Sequence, residues 1–141
     1  MPFKFERLEV WKASLDYVDL AYKLAEGLPT IEEYNLKSQL RRAATSVALN
    51  IAEGSTGQTD KEHARFIGMA IRSLVETVAC LRLIERRKYP GHDVLGHELD
   101  LKAQELARRL HTSRKVLDPE HGWLRERAEE YDAAEAPDEN A

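Results

Sequence analysis

The side chains best placed to do chemistry are five polar residues that recur at helical spacing between positions 39 and 54. Residues three or four apart lie on the same face of a helix, so these residues would form one polar stripe. Their amide, hydroxyl, guanidinium and carboxylate groups can form hydrogen bonds and ion pairs, but none of these groups is an activated nucleophile. Because Asn and Ser weaken a helix interior, we predict a polar seam between helices or subunits; the alternative is a solvated face. The predicted seam comprises Gln39, Arg42, Ser46, Asn50 and Glu53, with Glu76 as a candidate partner for an arginine of the stripe.

Signatures of catalysis and of metal binding are missing from the sequence. The five histidines form neither a His-Glu-x-x-His zinc pattern nor the paired Glu-x-x-His motifs of di-iron bundles. Cys80 lies on an apolar stripe, where a thiol is usually an inert small hydrophobe. Gly54–Gly57 lacks the lysine spacing of a phosphate-binding loop. We therefore predict no enzyme activity, no metal and no cofactor, and a small metal-binding enzyme is the least-favoured alternative.

Apolar periodicity and helix-stop residues predict four helices and no strand, which is an all-α fold. Short connections favour an antiparallel up-down-up-down four-helix bundle. We assign residues 1–117 to the bundle and 118–141 to an acidic C-terminal tail, disordered from about Tyr131. The predicted helices run from about Leu8 to Glu26, from Glu33 or Leu36 to Glu53, from a capping box at Thr59–Glu62 to Arg87, and from Asp93 to Val116.

The apolar faces of the predicted helices differ in width. The third helix has two adjacent apolar stripes that together cover more than half of its circumference, whereas a bundle helix needs about a third. The surplus predicts a second buried contact, with another copy of the chain, or else a central position of this helix in a monomer. For the first helix, the pattern predicts core positions at Leu8, Trp11, Leu15, Val18, Tyr22 and Ala25.

Composition and charge bear on the cellular location of the protein and on its partners. The 141-residue chain is 43% hydrophobic, has a single cysteine, and contains no apolar run of the ~20 residues that a membrane span needs. The first residues lack the apolar core of a signal peptide, so we predict a cytoplasmic protein without a membrane partner. The net charge of −4 is uneven, because residues 118–141 carry −7 and residues 1–117 carry +3.

A cluster of basic residues is a candidate nucleic-acid interface. In an up-down-up-down bundle, the start of the second helix, the end of the third and the start of the fourth meet at one end. Cations complement a helix C-terminus without any ligand, which explains part of the cluster, but not positive charge near the start of a helix. An acidic tail folded over this end would oppose such binding. The candidate residues are Arg41, Arg42, Arg86, Arg87 and Lys88.

Three segments resemble the bacterial four helix bundle protein family, first noticed as reading frames in intervening sequences of large-subunit ribosomal RNA genes. They are Phe5–Ala13, Gln39–Ser46 and Asn50–Gly54. The resemblance is close from about residue 3 to residue 90. It implies an antiparallel bundle assembled as a ring, often a homopentamer, and a fold shared with the accessory variability protein of diversity-generating retroelements, which binds a reverse transcriptase and nucleic acid. It implies no enzymatic activity.

Together these observations predict a non-catalytic, oligomeric helical bundle that acts as a binding or scaffolding module. Its predicted partner is itself, with a pentamer favoured. The alternative is a nucleic-acid-binding accessory factor that contacts RNA or DNA and a protein such as a reverse transcriptase.

Overall fold

A computed structural model describes residues 3–57 and 59–120 of the chain. This part contains four α-helices and two short 3₁₀ turns, at Lys4–Arg7 and Thr30–Glu32, and it contains no strand. The all-α prediction is therefore confirmed. No helix in these residues has the length and apolar character needed to cross a membrane. The α-helices are α1 (Glu9–Glu26), α2 (Leu36–Gly54), α3 (Asp60–Arg87) and α4 (Val94–Leu117).

Each helix packs against the next one along the chain, and α4 packs against α1, so that the four enclose one core. The apolar residues of α2 that recur at helical spacing are all buried, namely Leu36, Leu40, Ala43, Val47 and Ile51. Leu99, Leu106 and Leu110 of α4 are buried at the same spacing. These sets obey helical spacing because each helix has one core-facing side. Burial of such side chains supplies most of the drive for folding, at about 25 cal/mol per Å² of apolar surface.

The predicted core face of α1 is right at Ala25, which is buried, and in part at Trp11 and Val18, which pack against the core, but it is wrong at two positions. Leu15 and Tyr22 are exposed, and the buried face is centred on Ser14, Tyr17 and Leu24 instead. Polar atoms on this face are satisfied locally: Ser14 Oγ donates to the Trp11 carbonyl at 2.6 Å. A hydroxyl whose hydrogen bond is made costs little to bury. The apolar pattern therefore identified a line of residues beside the true core face.

Most residues of the second apolar stripe of α3 are buried within one chain. Ala70, Thr77, Cys80 and Ile84 are buried between neighbouring helices, whereas Met69 on the same stripe is exposed. Helix α3 packs against both α2 and α4, just as each helix of the bundle packs against two neighbours. Most of the second stripe is thus buried within one chain, and an argument for assembly has to come from exposed residues such as Met69.

A buried hydroxyl pair joins α1 to α3 across the core. Tyr17, 1% exposed, lies with its Oη 2.5 Å from Thr77 Oγ1, and Thr77 Oγ1 donates to the Leu74 carbonyl at 2.6 Å. Since the Thr77 proton is committed to Leu74, Tyr17 is the donor of the pair. Burial raises the pKa of Tyr17 to about 12. The pair joins two helices that are not neighbours around the core.

The helix connections are held by specific contacts. Thr59 Oγ1 accepts the Glu62 backbone N–H at 3.1 Å, which confirms the predicted cap of α3. Glu32, only 6% exposed, accepts from Tyr89 Oη at 2.9 Å and from Asn35 Nδ2 at 3.0 Å. The hydrogen bond from Tyr89, and next that from Asn35, lower the pKa of Glu32. This carboxylate joins the α1–α2 connection to the α3–α4 connection.

The structure describes only the first three residues of the predicted acidic tail, 118–120. Helix α4 ends at Leu117, the last residue assigned to the bundle, and Asp118 follows it as a buried residue. Residues 121–141, which hold most of the predicted acidic tail, lie outside the described residues.

Candidate interaction surfaces

The polar stripe of α2 enters three different environments. Asn50 is buried, with 9% of its surface exposed. Ser46 is half-buried, whereas Gln39, Arg42 and Glu53 are exposed. The stripe is therefore neither a uniformly buried seam nor a uniformly solvated face.

The inner part of the stripe forms a hydrogen-bond network with α3. Asn50 Nδ2 donates to the Ser46 carbonyl at 2.9 Å and to Ser46 Oγ at 3.1 Å. Ser73 Oγ of α3 donates to Ser46 Oγ at 3.0 Å. A polar seam between helices thus exists within one chain. The seam is centred on Ser46, a predicted seam residue, and on Ser73, which was not among the predicted seam residues.

The charged part of the predicted seam is open to solvent. Arg42, Glu53 and Glu76 are exposed, and no ion pair within residues 3–57 and 59–120 involves any of them. The predicted partnership of Glu76 with an arginine of α2 is therefore not formed inside this part of the chain. Two large apolar side chains lie on the same two helices, Leu49 at 55% and Met69 at 40% exposure. We call the surface formed by these five residues the α2–α3 surface.

A shallow groove of about 460 Å³ lies between α1 and α2. Its lining contains two guanidinium groups and four hydroxyl groups, and no carboxylate. Tyr22 Oη and Thr45 Oγ1 are 3.3 Å apart across the groove. The two arginines and Ser46 were predicted as site residues from the sequence, whereas Tyr22, Ser38 and Thr45 were not. We call it the hydroxyl–arginine groove, and its lining residues are Tyr22, Ser38, Arg41, Arg42, Thr45, Ser46 and Leu49.

The basic end of the bundle is partly neutralised. Lys37 Nζ lies 2.8 Å and Arg41 Nη2 3.6 Å from the Glu33 carboxylate. Arg82 contacts the carboxylates of Glu85 at 2.7 Å and Asp100 at 2.9 Å. These contacts reduce the positive potential that a phosphate backbone would meet.

Three of the candidate cations lie at the C-terminal end of α3. Arg86, Arg87 and Lys88 are exposed, and none takes part in an ion pair within the described ranges. Lys88 caps α3 with a left-handed backbone, at φ 54°. The candidate residues thus fall into two groups, one at the end of α3 and one on α2.

Two features of the described residues bear on metal binding and on thiol chemistry. In this part of the chain, no three His, Cys, Asp or Glu side chains converge as metal ligands. Cys80 is buried, and burial raises the pKa of its thiol, which opposes formation of a nucleophilic thiolate. The pKa of His63 is lowered, mainly by burial and to a lesser extent by the nearby charge of Lys4.

Comparison with known protein families identifies one that matches most of the chain. No curated protein matches the chain in sequence. Residues 6–112 match the family described as 23S rRNA-intervening sequence protein, a span that includes α1, α2, α3 and most of α4. The match covers both the polar stripe and the candidate cations. The chain belongs to the 23S rRNA-intervening sequence protein family.

Proposed function

We propose that this protein is a non-catalytic, self-assembling helical bundle that serves as a binding or scaffolding module, with a pentameric ring as the favoured assembly. The observation that carries the proposal is the α2–α3 surface. It sets exposed Leu49 and Met69 beside Arg42, Glu53 and Glu76, charges that form no ion pair in the described chain. Apolar anchors combined with charges of both signs are typical of specific protein interfaces.

We also propose that successive helices run antiparallel. Contacts between α3 and α4 support this, because residues further along α3 meet residues earlier in α4. A Cβ atom on Gly68 would lie 3.4 Å from Arg114, whereas one on Gly96 would lie 3.1 Å from Leu81. Helices α2 and α3 follow the same rule, since a Cβ on Gly54 would meet Phe66 at 2.9 Å and Ser46 bonds Ser73.

This register helps to define the α2–α3 surface. On antiparallel neighbours, the Ser46–Ser73 bond sets Leu49 level with Met69 and sets Arg42 level with Glu76. A neighbouring subunit that covered this surface would bury both apolar side chains and would offer partners to the charges. Polar pairs at such a seam fix the geometry of assembly, often at some cost in stability.

Light scattering in dilute solution tests assembly. We expect the parent to show a mass several times the 16.1 kDa of one chain. Leu49→Gln should lower the mass, whereas Val94→Gln, which alters an apolar residue that is 74% exposed on α4, should not. Likewise, Glu53→Gln should weaken assembly more than the control Glu98→Gln. A monomeric parent at micromolar concentration contradicts the proposal, as does an equal effect of each variant and its control.

A second candidate function is a nucleic-acid-binding accessory factor of the retroelement type, which would also contact a reverse transcriptase. Two observations favour it: the hydroxyl–arginine groove lacks carboxylates, and Arg86, Arg87 and Lys88 are exposed without ion pairs in the described ranges. Binding through phosphates should tolerate changes of sequence and weaken steeply with salt. Titration of RNA and DNA at low and high salt tests it, and no binding at low salt refutes it.

The absence of enzymatic activity and a cytoplasmic location stay predictions. The raised pKa of the buried Cys80 thiol supports the first. Turnover of a phosphoester or ester substrate that disappears with a single side-chain substitution would contradict it.

A further inference from the structure

The hydroxyl–arginine groove differs in charge from the grooves on another side of the bundle. Two grooves between α1 and α4 are lined by basic residues together with acids: Glu9, Asp16 and Glu105 in one, and Glu9 in the other. The hydroxyl–arginine groove has two guanidinium groups and no acid in its lining. A concave surface with donors and without carboxylates favours an anion.

Ser46 is a positioned donor in this groove. Its hydroxyl oxygen accepts from Asn50 Nδ2 at 3.1 Å and from Ser73 Oγ at 3.0 Å. A hydroxyl has two acceptor lone pairs and one proton. Both lone pairs are occupied, and no hydrogen bond within the described residues uses the Ser46 proton as donor. The network with α3 therefore leaves the proton available to a ligand in the groove.

Arg42 supplies the charge. It precedes Ser46 by four residues, so the two side chains stand one helical turn apart on the same face. Arg42 is exposed and joins no ion pair within the described ranges. The neighbouring Arg41 keeps a contact of 3.6 Å with Glu33, longer than a hydrogen bond. A guanidinium paired with a hydroxyl donor suits the oxygens of a phosphate group.

We propose that the hydroxyl–arginine groove binds backbone phosphates of a nucleic acid, with Arg42 as the principal cation and Ser46 as the oriented hydroxyl donor. Asn50 and Ser73 are positioning residues, because they act through Ser46. The proposal rests on the second candidate function and assigns it to one groove. Tyr22, 40% exposed, gives the groove an aromatic surface on which an unpaired base can stack.

The test uses the full chain and a fluorescently labelled single-stranded oligoribonucleotide, with anisotropy measured over a range of salt concentrations. For Arg42→Gln we expect affinity to fall about tenfold at low salt, as for loss of a hydrogen bond to a charged group. The slope of log affinity against log salt should also fall by about 0.7. Ser46→Ala should weaken binding with an unchanged slope, because no charge is removed. Arg108→Gln, an exposed cation between α1 and α4, should change neither quantity.

Inorganic pyrophosphate separates a free phosphate ligand from a nucleic acid. Under the proposal, millimolar pyrophosphate releases the oligonucleotide from the parent, because both occupy the groove. Pyrophosphate binding that depends on Arg42, without any oligonucleotide binding, overturns the assignment to nucleic acid. Thermal unfolding by circular dichroism verifies that each variant is folded.

Three further results would overturn the proposal, and each of them rejects a different part of it. If the parent binds and both groove variants bind equally well, the groove is wrong but the nucleic-acid function survives; the triple change of Arg86, Arg87 and Lys88 to Gln then locates it. If the parent does not bind at low salt, that function fails together with the groove. If Arg42→Gln alters the mass by light scattering while affinity is unchanged, Arg42 serves a subunit contact.

Discussion

Replacement of Thr77 by valine should destabilise the fold by more than the loss of one hydrogen bond. Valine keeps the shape of threonine but removes the hydroxyl that Tyr17 contacts at 2.5 Å. Tyr17 is 1% exposed, so its O–H group would be left without an acceptor and without water. A buried donor stranded in this way costs about 1–3 kcal/mol. For a chain of this size, that corresponds to a melting temperature lower by roughly 4 °C per kcal/mol.

A double-mutant cycle isolates the pair. Tyr17→Phe leaves Thr77 bonded to the Leu74 carbonyl, so it should cost only about 1 kcal/mol. The double change Tyr17→Phe with Thr77→Val strands no polar group, and its cost should be smaller than the sum of the two single costs. The measurement is urea unfolding by circular dichroism at one fixed protein concentration, because assembly would make stability depend on concentration. Tyr22→Phe is the matched control, since Tyr22 Oη makes a longer and exposed contact.

Alkaline pH gives the same pair a second test. The pKa of Tyr17 is raised from 10.0 to about 12 in the folded chain. Between these values the unfolded state has released the proton and the folded state has kept it, so the free energy of unfolding falls as pH rises. The parent should therefore lose more stability than Tyr17→Phe from pH 10 to 12. If Thr77→Val costs no more than Tyr22→Phe, and if Tyr17→Phe loses stability in alkali as fast as the parent, the buried pair is not as described.

Two other substitutions test the helix connections. Gly54→Ala should destabilise by about 1–3 kcal/mol, because its Cβ would lie 2.9 Å from Phe66 Cβ; Gly27→Ala, whose Cβ would meet nothing closer than 3.6 Å, is the control in thermal melts. The pKa of Glu32 is lowered in the folded state, so its contribution to stability is present above its ordinary pKa and is lost as pH falls through the lowered value. Tyr89→Phe should therefore flatten the acid side of the stability profile, and an unchanged profile would show that the bond from Tyr89 does not lower this pKa.

The apolar pattern predicted α2 and α4 well and α1 poorly, for a physical reason. The core faces of α2 and α4 are dominated by Leu, Ile, Val and Ala, which report burial by their type alone. The core face of α1 includes Ser14 and Tyr17, whose burial depends on hydrogen bonds to Trp11 and Thr77. The bond to Thr77 is made only after α1 and α3 have come together, so periodicity on α1 could not reveal it.

Helical spacing identified the polar stripe but could not tell which of its residues are buried and which are exposed. Residues that share a helix face still differ in depth, because a neighbouring helix covers part of that face. Ser46 Oγ accepts hydrogen bonds from Asn50 and from Ser73 of α3, whereas Arg42 remains in solvent. Tyr22 was missed as a groove residue because it comes from a different helix. A usable signal was present in Ser38 and Thr45, which stand three residues either side of the two arginines.

Arg42 and Leu49 link the two proposed functions, because both belong to the α2–α3 surface and to the hydroxyl–arginine groove. Of the two, Arg42 carries the charge. If a neighbouring subunit supplies a carboxylate to Arg42, the groove loses its principal cation, and assembly would then compete with phosphate binding. If instead the neighbour covers Met69 and leaves the groove residues Arg42 and Leu49 accessible, each added subunit brings another groove to the same particle. Phosphate contacts made on several subunits would reinforce one another through effective concentration, and the salt slope would grow with their number. Assembly at this one arginine would therefore decide whether the ring suppresses nucleic-acid binding or strengthens it.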